Sequence, residues 1–203
     1  MDIKKSVTEG NSKFWFLLIG ICIVLLIFVL IGIVSFFNRK EKIVEKSVEG
    51  GGVVLKYYNK FAGLELVSLV PTADSLMISN TDEDKDNYFE FSVDSYLDEA
   101  SSIDYELSVL KDAAKSSISN DDIRIYLEKE VSGSYEQVFA PSSYVPLKEN
   151  SEFGSKAGSM VLTHVNKMKK STDNYRLKVW LSDKSIKSVG SFKLYLQINA
   201  RAN

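Results

Sequence analysis

Residues 88–112 read YFEFSVDSYLDEASSIDYELSVLKD, and the alternation of apolar and polar side chains in this stretch decides the fold class. In 88–93 and again in 103–109, every second residue is apolar. Successive side chains of a β-strand point to opposite faces of its sheet, so each run predicts a strand with one face toward a core and the other toward water. The Asp/Ser-rich residues 94–102 between the two runs predict a long loop.

The same period of two recurs along the rest of the chain. Regular alternation marks residues 123–128, 176–181 and 192–198, and less regular strands are predicted at 53–58, 64–70 and 160–165. Seven or eight strands at this spacing, separated by loops rich in Ser, Asp, Asn and Gly, predict a mainly β protein: an antiparallel β-sandwich of immunoglobulin-like character. Residues 141–158 are predicted to form a second long loop, wide enough for a short helix or a binding surface.

Residues 14–37, FWFLLIGICIVLLIFVLIGIVSFF, form an uncharged apolar run. A helix over this run is about 36 Å long at about 1.5 Å per residue, and the hydrocarbon core of a bilayer is roughly 30 Å thick. The run is longer than the apolar region of a typical secretory signal, and no small-residue cleavage site follows it. The sequence therefore predicts a retained single-pass transmembrane helix, with a cleaved signal peptide as the alternative.

The predicted span divides the chain into four parts. These are a cytoplasmic tail at 1–13, the transmembrane helix at 14–37, a charged stalk and glycine linker at 38–52, and the β-sandwich domain at 53–203. The stalk is predicted to continue the membrane helix until three consecutive glycines at 50–52 break it, since glycine has the greatest backbone freedom. Lys and Arg are almost equally frequent on the two sides of the span, so the positive-inside rule decides little. The short tail and the export-like domain place the N-terminus inside and the C-terminal domain outside.

The segment 88–112 resembles exported β-sandwiches of Gram-positive bacteria, in particular the camelysin and TasA-like biofilm-matrix group. In that group an F-x-V-x-N strand precedes a short loop and an I-x-Y-x-x-x-L strand. The later stretch YRLKVWL, residues 175–181, and the final amphipathic strand are similar to surface proteins of the same bacteria. The resemblance implies an exported β-sandwich. The chain departs from the matrix proteins because it lacks a visible cleavage site, and an anchored protein would not be released as a free fibre subunit.

The formal net charge of −2 conceals a split along the chain. Residues 50–136 carry 18 Asp and Glu against 7 Lys and Arg, whereas residues 137–203 carry 11 Lys and Arg against 4 Asp and Glu. If strands from the two halves interleave in one sandwich, these charges pair on its surface. If they do not, an acidic pole and a basic pole suit head-to-tail self-association. Nucleic-acid binding is not expected of an acidic exported domain.

Residues 80–90, NTDEDKDNYFE, contain a regular row of carboxylates, Asp82, Asp84 and Asp86. Hard oxygen ligands at positions 1, 3 and 5 are typical of the first half of a calcium-binding loop. Position 12, where a bidentate Glu belongs, is Val93. The pattern is therefore half of a calcium motif, and its alternative is a solvated acidic loop in front of a strand.

Five cationic side chains near the end of the sequence define a second candidate site, for an anionic partner. They are Lys167, Lys169, Lys170, Arg176 and Lys178. They are predicted to lie on one hairpin, with the aromatic residues Tyr175 and Trp180 nearby. A basic patch of this kind suits a wall polymer, lipid headgroups or an acidic protein surface. The alternative is a solvated face of two strands.

The residues that most often carry catalysis are scarce. His164 is the one histidine, and Cys22, inside the predicted span, is the one cysteine. A lone histidine cannot complete a zinc site, and no nucleophile-elbow sequence accompanies the serines. No catalytic residue is predicted, and calcium is the one cofactor under consideration.

The sequence favours a non-enzymatic, membrane-anchored bacterial surface protein. Its expected partners are the lipid bilayer and a protein or cell-envelope component. Its expected role is binding, adhesion or assembly. The alternative is an accessory or sensor subunit of a membrane complex that acts through its transmembrane helix.

Overall fold

The computed structural model describes residues 16, 18–28, 41–59, 61–67, 69–79, 88–186 and 190–203. The chain divides into two units, Met1–Lys40 and Glu41–Asn203. In the first unit residue 16 and residues 18–28 are helical (α1) and fall within the run predicted to cross a membrane, and the rest of that run lies outside the described residues. Among the described residues, no helix combines the length and the apolar character needed for a membrane crossing.

The second unit consists mainly of β-strands. They are β1 (Lys42–Val48), β2 (Gly51–Tyr57), β3 (Gly63–Val67), β4 (Pro71–Thr72), β5 (Tyr88–Leu97), β6 (Ile103–Lys111), β7 (Ile123–Val131), β8 (Ser134–Ser142), β9 (Ser159–Lys167), β10 (Ser171–Ser182) and β11 (Ser191–Ala202). A short helix, α2 (Asp74–Ser79), follows β4, and a 3₁₀ helix (Ala113–Lys115) follows β6. Each of the eight predicted strands, five from regular alternation and three less regular ones, is present at or near its predicted position, and the mainly β prediction is confirmed.

The strands form two sheets that stack as a sandwich. The larger sheet has the order β1-β2-β5-β10-β7-β8, with β4 attached to β10, and the smaller has the order β3-β11-β6-β9. Neighbouring strands are antiparallel, except that β4 pairs in parallel with β10 at Leu181 and Ser182. β4 takes this place because the β10–β5 pairing ends at Lys178 and leaves the edge of β10 open beyond it.

The two charge halves of the sequence interleave in this topology. β10, from the basic half, lies between β5 and β7, from the acidic half. In the ladder Arg176 is directly opposite both Glu90 and Glu128. Opposite charges at facing positions of neighbouring strands stabilise a sheet. The structure therefore pairs these charges within one sheet.

The core lies between the two sheets and contains the inward-facing apolar residue of almost every strand. A row of aromatic rings crosses the inner face of the larger sheet from β2 to β10. The ring centroids of Tyr57 and Phe89 are 5.7 Å apart, those of Phe89 and Phe91 5.5 Å, and those of Phe91 and Tyr175 5.3 Å. Aromatic pairs at such distances contribute beyond the area that they bury.

The predicted stalk is corrected by the structure. Residues 42–48 form strand β1, which pairs with β2 from Lys42↔Tyr57 to Val48↔Gly51. Gly51 and Gly52 are buried strand residues of β2, and Gly50, with φ +84°, lies in the two-residue turn that joins β1 to β2. Gly50 therefore allows the tight hairpin turn, and Gly51 and Gly52 allow their neighbours in the sheet to approach closely. The compact unit begins at Glu41.

The two predicted long loops also differ in length from the expectation. β5 continues to Leu97, because residues 94–97 pair with β2 and 94–95 also with β10, so the first loop is short. β8 continues to Ser142, and the second loop, residues 143–158, contains no helix. This second loop covers part of the outer face of the smaller sheet.

Candidate ligand-binding groove

An open groove lies at one side of the sandwich, between β1 and β2 of the larger sheet and β11 of the smaller one. Its cavity has a volume of about 320 Å³, which falls within the roughly 300–1,000 Å³ usual for small-molecule sites. The floor of the groove is apolar. It is formed by Val44, Leu55, Ala62, Leu196 and Ile198.

The groove exists because two strands lack a neighbour at this point. β1 pairs with β2 alone. β11 pairs with β3 only as far as Tyr195, and from Leu196 onward its partner strand is β6. Leu55, Leu196 and Ile198 face inward and are buried like other core residues. The apolar side chains that reach the surface of the groove are those of Val44 and, in part, Ala62. The groove is thus a depression in the side of the sandwich.

Two lysines stand on the rim of the groove. Lys46 lies opposite Val53 in the β1–β2 ladder and so shares the inner face of the sheet. Its side chain is exposed because the sandwich is open here. Lys156 comes from the 143–158 loop and is also exposed. Neither ammonium group has a carboxylate partner among the described residues, so the rim carries two uncompensated positive charges.

Two amide side chains of β11 complete the polar rim. Gln197 Oε1 accepts a hydrogen bond from Ser159 Oγ at 3.0 Å, and Asn199 Nδ2 donates one to Ser155 Oγ at 3.0 Å. These bonds fix the orientation of each amide, so Gln197 presents its NH₂ group as a donor and Asn199 its carbonyl oxygen as an acceptor. The two lysines and the Gln197 amide make the rim rich in hydrogen-bond donors, whereas the floor is apolar.

Tyr96 holds the β1 wall of the groove in place from the outer face of the sheet. Its side chain crosses β2 at Gly52, the residue opposite it in the ladder, and reaches β1. The Tyr96 hydroxyl lies 2.8 Å from Glu45 Oε1 and 3.1 Å from Ser47 Oγ. A Cβ atom at Gly52 would lie 2.5 Å from this hydroxyl. Glycine is therefore required at this position for the tyrosine to reach the edge strand.

The opposite wall, the 143–158 loop, is tied to the smaller sheet by side-chain hydrogen bonds. Ser151 Oγ donates to Glu106 Oε1 at 2.7 Å, and Ser155 Oγ donates to Ser108 Oγ at 2.7 Å. Tyr144 donates to the carbonyl oxygen of Gly158 at 2.5 Å, and burial raises the pKa of Tyr144. The loop that carries Lys156 is thus fixed at both ends and in the middle.

The five predicted basic residues are not gathered into one free patch. Lys169 and Lys170 lie exposed in the turn between β9 and β10. Lys167 pairs with Asp173, with its Nζ 2.7 Å from Oδ2. The anionic-partner hypothesis for this hairpin stays a prediction, with Lys169 and Lys170 as its exposed members.

Arg176 and Lys178 are engaged within the domain. Arg176 is 2.8 Å from Glu90 Oε1 and 3.3 Å from Glu128 Oε1, and its guanidinium lies 4.0 Å from the centre of the Tyr135 ring. Lys178 is buried, 3.2 Å from Glu128 Oε1.

Helix α2 covers this outer face of the larger sheet. Lys178 Nζ donates to the carbonyl oxygens of Met77 and Ile78, near the end of the helix, where a cation is favoured. Trp180 Nε1 donates to Asp74 Oδ1 at 3.0 Å. These hydrogen bonds hold α2 against β10.

A buried acidic residue links the two sheets at the other end of β10. The hydroxyl of Tyr105, on β6, lies 2.6 Å from the Tyr175 hydroxyl and donates a hydrogen bond to Asp173 Oδ2 at 2.5 Å. Lys129 and Lys167 each approach Asp173 Oδ1 to 2.8 Å. Burial alone raises the pKa of Asp173, but the hydrogen bonds from Lys129, Lys167 and Tyr105 outweigh it and hold that pKa below its usual value.

The predicted calcium ligands Asp82, Asp84 and Asp86 lie outside the described residues, so that hypothesis stays a prediction. Within the ranges that the structure describes, no group of three or more His, Cys, Asp or Glu side chains could hold a metal ion. His164 lies on β9, with Nε2 3.7 Å from Asp104 Oδ1 and its ring 4.0 Å from that of Phe153.

None of the candidate site residues that the structure describes lines the groove. The sequence places Lys46 in the predicted stalk and Lys156 in the second predicted long loop. Val44, Lys46 and Val48 share the inner face of this strand, but Lys46 interrupts the apolar alternation, so the sequence gives no clear signal for an edge strand here.

Comparisons with known proteins give a limited result. No protein-family model and no curated protein matches the chain. A solved structure of AvmM, which catalyzes macrocyclization in alchivemycin A biosynthesis, is similar over 79% of this chain and 96% of AvmM, with 8% identity and a TM-score of 0.31. The PA14 domain of the MpAFP antifreeze protein is similar over 73% of this chain, with 11% identity and a TM-score of 0.25; the match spans 66% of that structure. Likeness at this level carries no functional inference.

Proposed function

We propose that this chain is a membrane-anchored, non-catalytic surface protein whose β-sandwich binds an anionic component of the cell envelope in the groove. The N-terminus lies inside, the run at 14–37 is the transmembrane helix, and the domain lies outside as an immunoglobulin-like sandwich. The role is binding, in adhesion or in assembly of the envelope.

The groove is the observation that supports this proposal. The groove combines a small apolar surface at Val44 and Ala62 with polar groups at its rim, which give a ligand its orientation. Lys46 and Lys156, unpaired with any carboxylate among the described residues, favour a negatively charged ligand. The uncharged run of the sequence supports the anchor, because it is long enough to cross a bilayer.

The anchor is tested in the native membrane. Full-length protein should stay in the membrane fraction after alkaline carbonate washing. Protease added outside intact cells should digest residues 41–203. A mature N-terminus near residue 40 in the medium would contradict a retained anchor, and protection of the domain in intact cells would reverse the orientation.

Binding is tested by photo-crosslinking in intact cells. A photoreactive residue placed at Val44, on the floor of the groove, should give adducts with an envelope component. The same residue at Lys148, an exposed loop position that does not line the groove, serves as the control. Equal labelling at both positions, or none at Val44, would argue against the groove as the binding site.

A further inference from the structure

A short turn between two strands presents one apolar and two cationic side chains to solvent. β9 ends at Lys167 and β10 begins at Ser171. The three residues between them, Met168, Lys169 and Lys170, are the β9–β10 turn. All three side chains are exposed, and Met168 is 79% exposed although it is apolar. Neither lysine of the turn forms an ion pair with a carboxylate among the described residues.

The base of this hairpin is fixed on both sides and adds positive charge. Lys167 Nζ lies 2.7 Å from Asp173 Oδ2, and Lys129 Nζ lies 2.8 Å from Oδ1 of the same carboxylate. One aspartate thus faces two lysines, and a positive charge is left over. On the side of β5, Ser171 Oγ lies 3.0 Å from Ser95 Oγ. The hairpin therefore holds its turn in place at a positively charged end of the sheet.

The carboxylates of the neighbouring strand β5 do not cancel this charge. Asp94 is within electrostatic reach of the turn, but its Oδ2 lies 2.6 Å from Lys56 Nζ. The backbone N–H groups of Asp98 and Glu99 donate to the carbonyl oxygen of Gly50, at the β1–β2 turn. β2 lies on the side of β5 opposite β10. The acidic residues after β5 are therefore held on the side away from the β9–β10 turn.

The register of the larger sheet places this turn within reach of a bilayer surface. From the end of the apolar run 14–37 to Lys42, the first residue of β1, the chain spans at most about 18 Å. In the ladder across β1, β2, β5 and β10, Lys42 lies in one row with Tyr175. The β10 strand extends from Tyr175 by about 13 Å to Ser171, next to the turn, and by about 23 Å to Ser182 at the other end. With the strands upright on a bilayer, the end that carries the turn fits this reach and the opposite end does not.

We propose that the β9–β10 turn docks on the surface of an anionic phospholipid bilayer, with Lys169 and Lys170 on the lipid phosphates and Met168 among the headgroups. This inference rests on the anchor of the proposed function and goes beyond it, since it names the surface of the domain that contacts lipid. Lysines near an anionic surface are attracted by its negative potential. The anchor keeps the turn close to the bilayer, so the effective concentration is high and a weak attraction suffices.

Contact with lipid is measured on the full-length protein in liposomes. Cys22→Ser removes the one cysteine, and Met168→Cys carries a nitrobenzoxadiazole fluorophore, which keeps an apolar group at this position. Lipids with a nitroxide in the headgroup region quench this fluorophore on contact. Quenching is expected in liposomes of phosphatidylcholine with phosphatidylglycerol, and not in phosphatidylcholine alone. The same label at Lys148, in the loop beside the first residue of β9 at the other end of the sandwich, should stay unquenched in both.

Two pairs of substitutions separate the turn from the rest of the surface. Lys169→Glu with Lys170→Glu should lower the ratio of docked to undocked protein at least about twentyfold, because each lysine near an anionic surface contributes about a factor of five. Lys148→Glu with Lys184→Glu makes the same change in net charge at exposed positions at the other end and should leave quenching at position 168 unchanged. Salt at about 1 M should release the turn, because the Debye length falls to about 3 Å. Circular dichroism verifies that each variant keeps its β-structure.

Equal quenching at position 168 with and without phosphatidylglycerol would overturn the inference, and so would equal quenching in the labelled parent and its Lys169→Glu/Lys170→Glu variant. Absence of quenching in phosphatidylglycerol would also overturn it, and the partner of the turn would then be an acidic polymer or protein. Alkaline carbonate separates this failure from that of the proposed anchor. Protein that stays in the liposomes with an unquenched label is anchored but not docked. Protein that carbonate extracts is not anchored, and the inference falls with the anchor.

Discussion

At the scale of single residues, Asp173 is a side chain on which contacts from both sheets converge. It is buried, joins two lysines and reaches Tyr105 in the other sheet. Asp173→Asn should lower the free energy of unfolding by about 2 kcal/mol, because it leaves two lysines near an uncharged group. This is less than the 3–5 kcal/mol usual for breaking a buried pair, since both lysines reach solvent in part. Urea unfolding of residues 41–203 measures the change, and Asp183→Asn, at an exposed turn, is the matched control.

The same residue predicts a pH dependence. The pKa of Asp173 is lowered in the folded protein, whereas an unfolded Asp titrates near about 3.9. The stabilisation from this carboxylate is therefore complete above about pH 5 and is lost as the pH falls through the folded-state pKa. Wild-type protein should lose stability in this acidic range more steeply than Asp173→Asn. Parallel curves for the two proteins between pH 6 and pH 3 would contradict the assigned role.

At the scale of elements, β1 depends on one tyrosine from β5. Tyr96→Phe removes the hydroxyl that bonds Glu45 and Ser47 but keeps the ring. A net loss of about 1 kcal/mol should raise local opening of β1 about fivefold. Hydrogen exchange of the amides of residues 42–48 measures this, and global stability should change little because β1 is an edge strand.

A control variant and a second, independent variant test the role of Tyr96. Tyr135→Phe also removes a hydroxyl, from a ring that stacks on Arg176 away from β1, and should leave β1 exchange unchanged. Gly52→Ala should reproduce the effect of Tyr96→Phe, because the added methyl group displaces the tyrosine end. If hydrogen exchange in β1 is unchanged in both Tyr96→Phe and Gly52→Ala, backbone pairing alone holds β1 in place.

The elements also show what sequence periodicity can and cannot predict. Strands such as β6 and β11 bury one face fully, so apolar residues recur at every second position and the strand is evident. In β1 nearly every side chain is exposed, because the strand is at an edge beside an opening, and the pattern carries no inward signal. β8 has two irregularities in its register with β7, which break the period.

The groove could not be predicted for a related reason. It is formed by strands that are about 150 residues apart in sequence, and it depends on where β3 stops pairing with β11. Hydrophobic patterning identifies Leu55, Leu196 and Ile198 as core residues, and that assignment is correct. Only the pairing of the strands shows that a groove lies over this part of the core.

At the scale of the whole molecule, the position of the domain boundary decides stability. A chain reduced to residues 53–203 lacks β1 and the hairpin turn. It also lacks the carbonyl oxygen of Gly50, which accepts hydrogen bonds from the backbone N–H groups of Asp98, Glu99 and Ala100. β2 then becomes an edge strand with an apolar inner face and no inward-pointing lysine, an arrangement that promotes association through strand edges. Residues 41–203, in contrast, keep the complete sandwich.

We therefore expect residues 41–203 to be a soluble, β-rich monomer and residues 53–203 to melt about 10 °C lower, the shift that a loss of roughly 3 kcal/mol gives in a domain of this size. The shorter chain should also self-associate, as sedimentation velocity would show. Thermal melts by circular dichroism at matched concentration provide the comparison. Val54→Lys in the shorter chain, on the outer face of the new edge strand, should reduce association without restoring the melting temperature. Equal melting temperatures for the two chains would mean that β1 lies outside the cooperative unit, and the groove would then have a wall that opens independently of the fold.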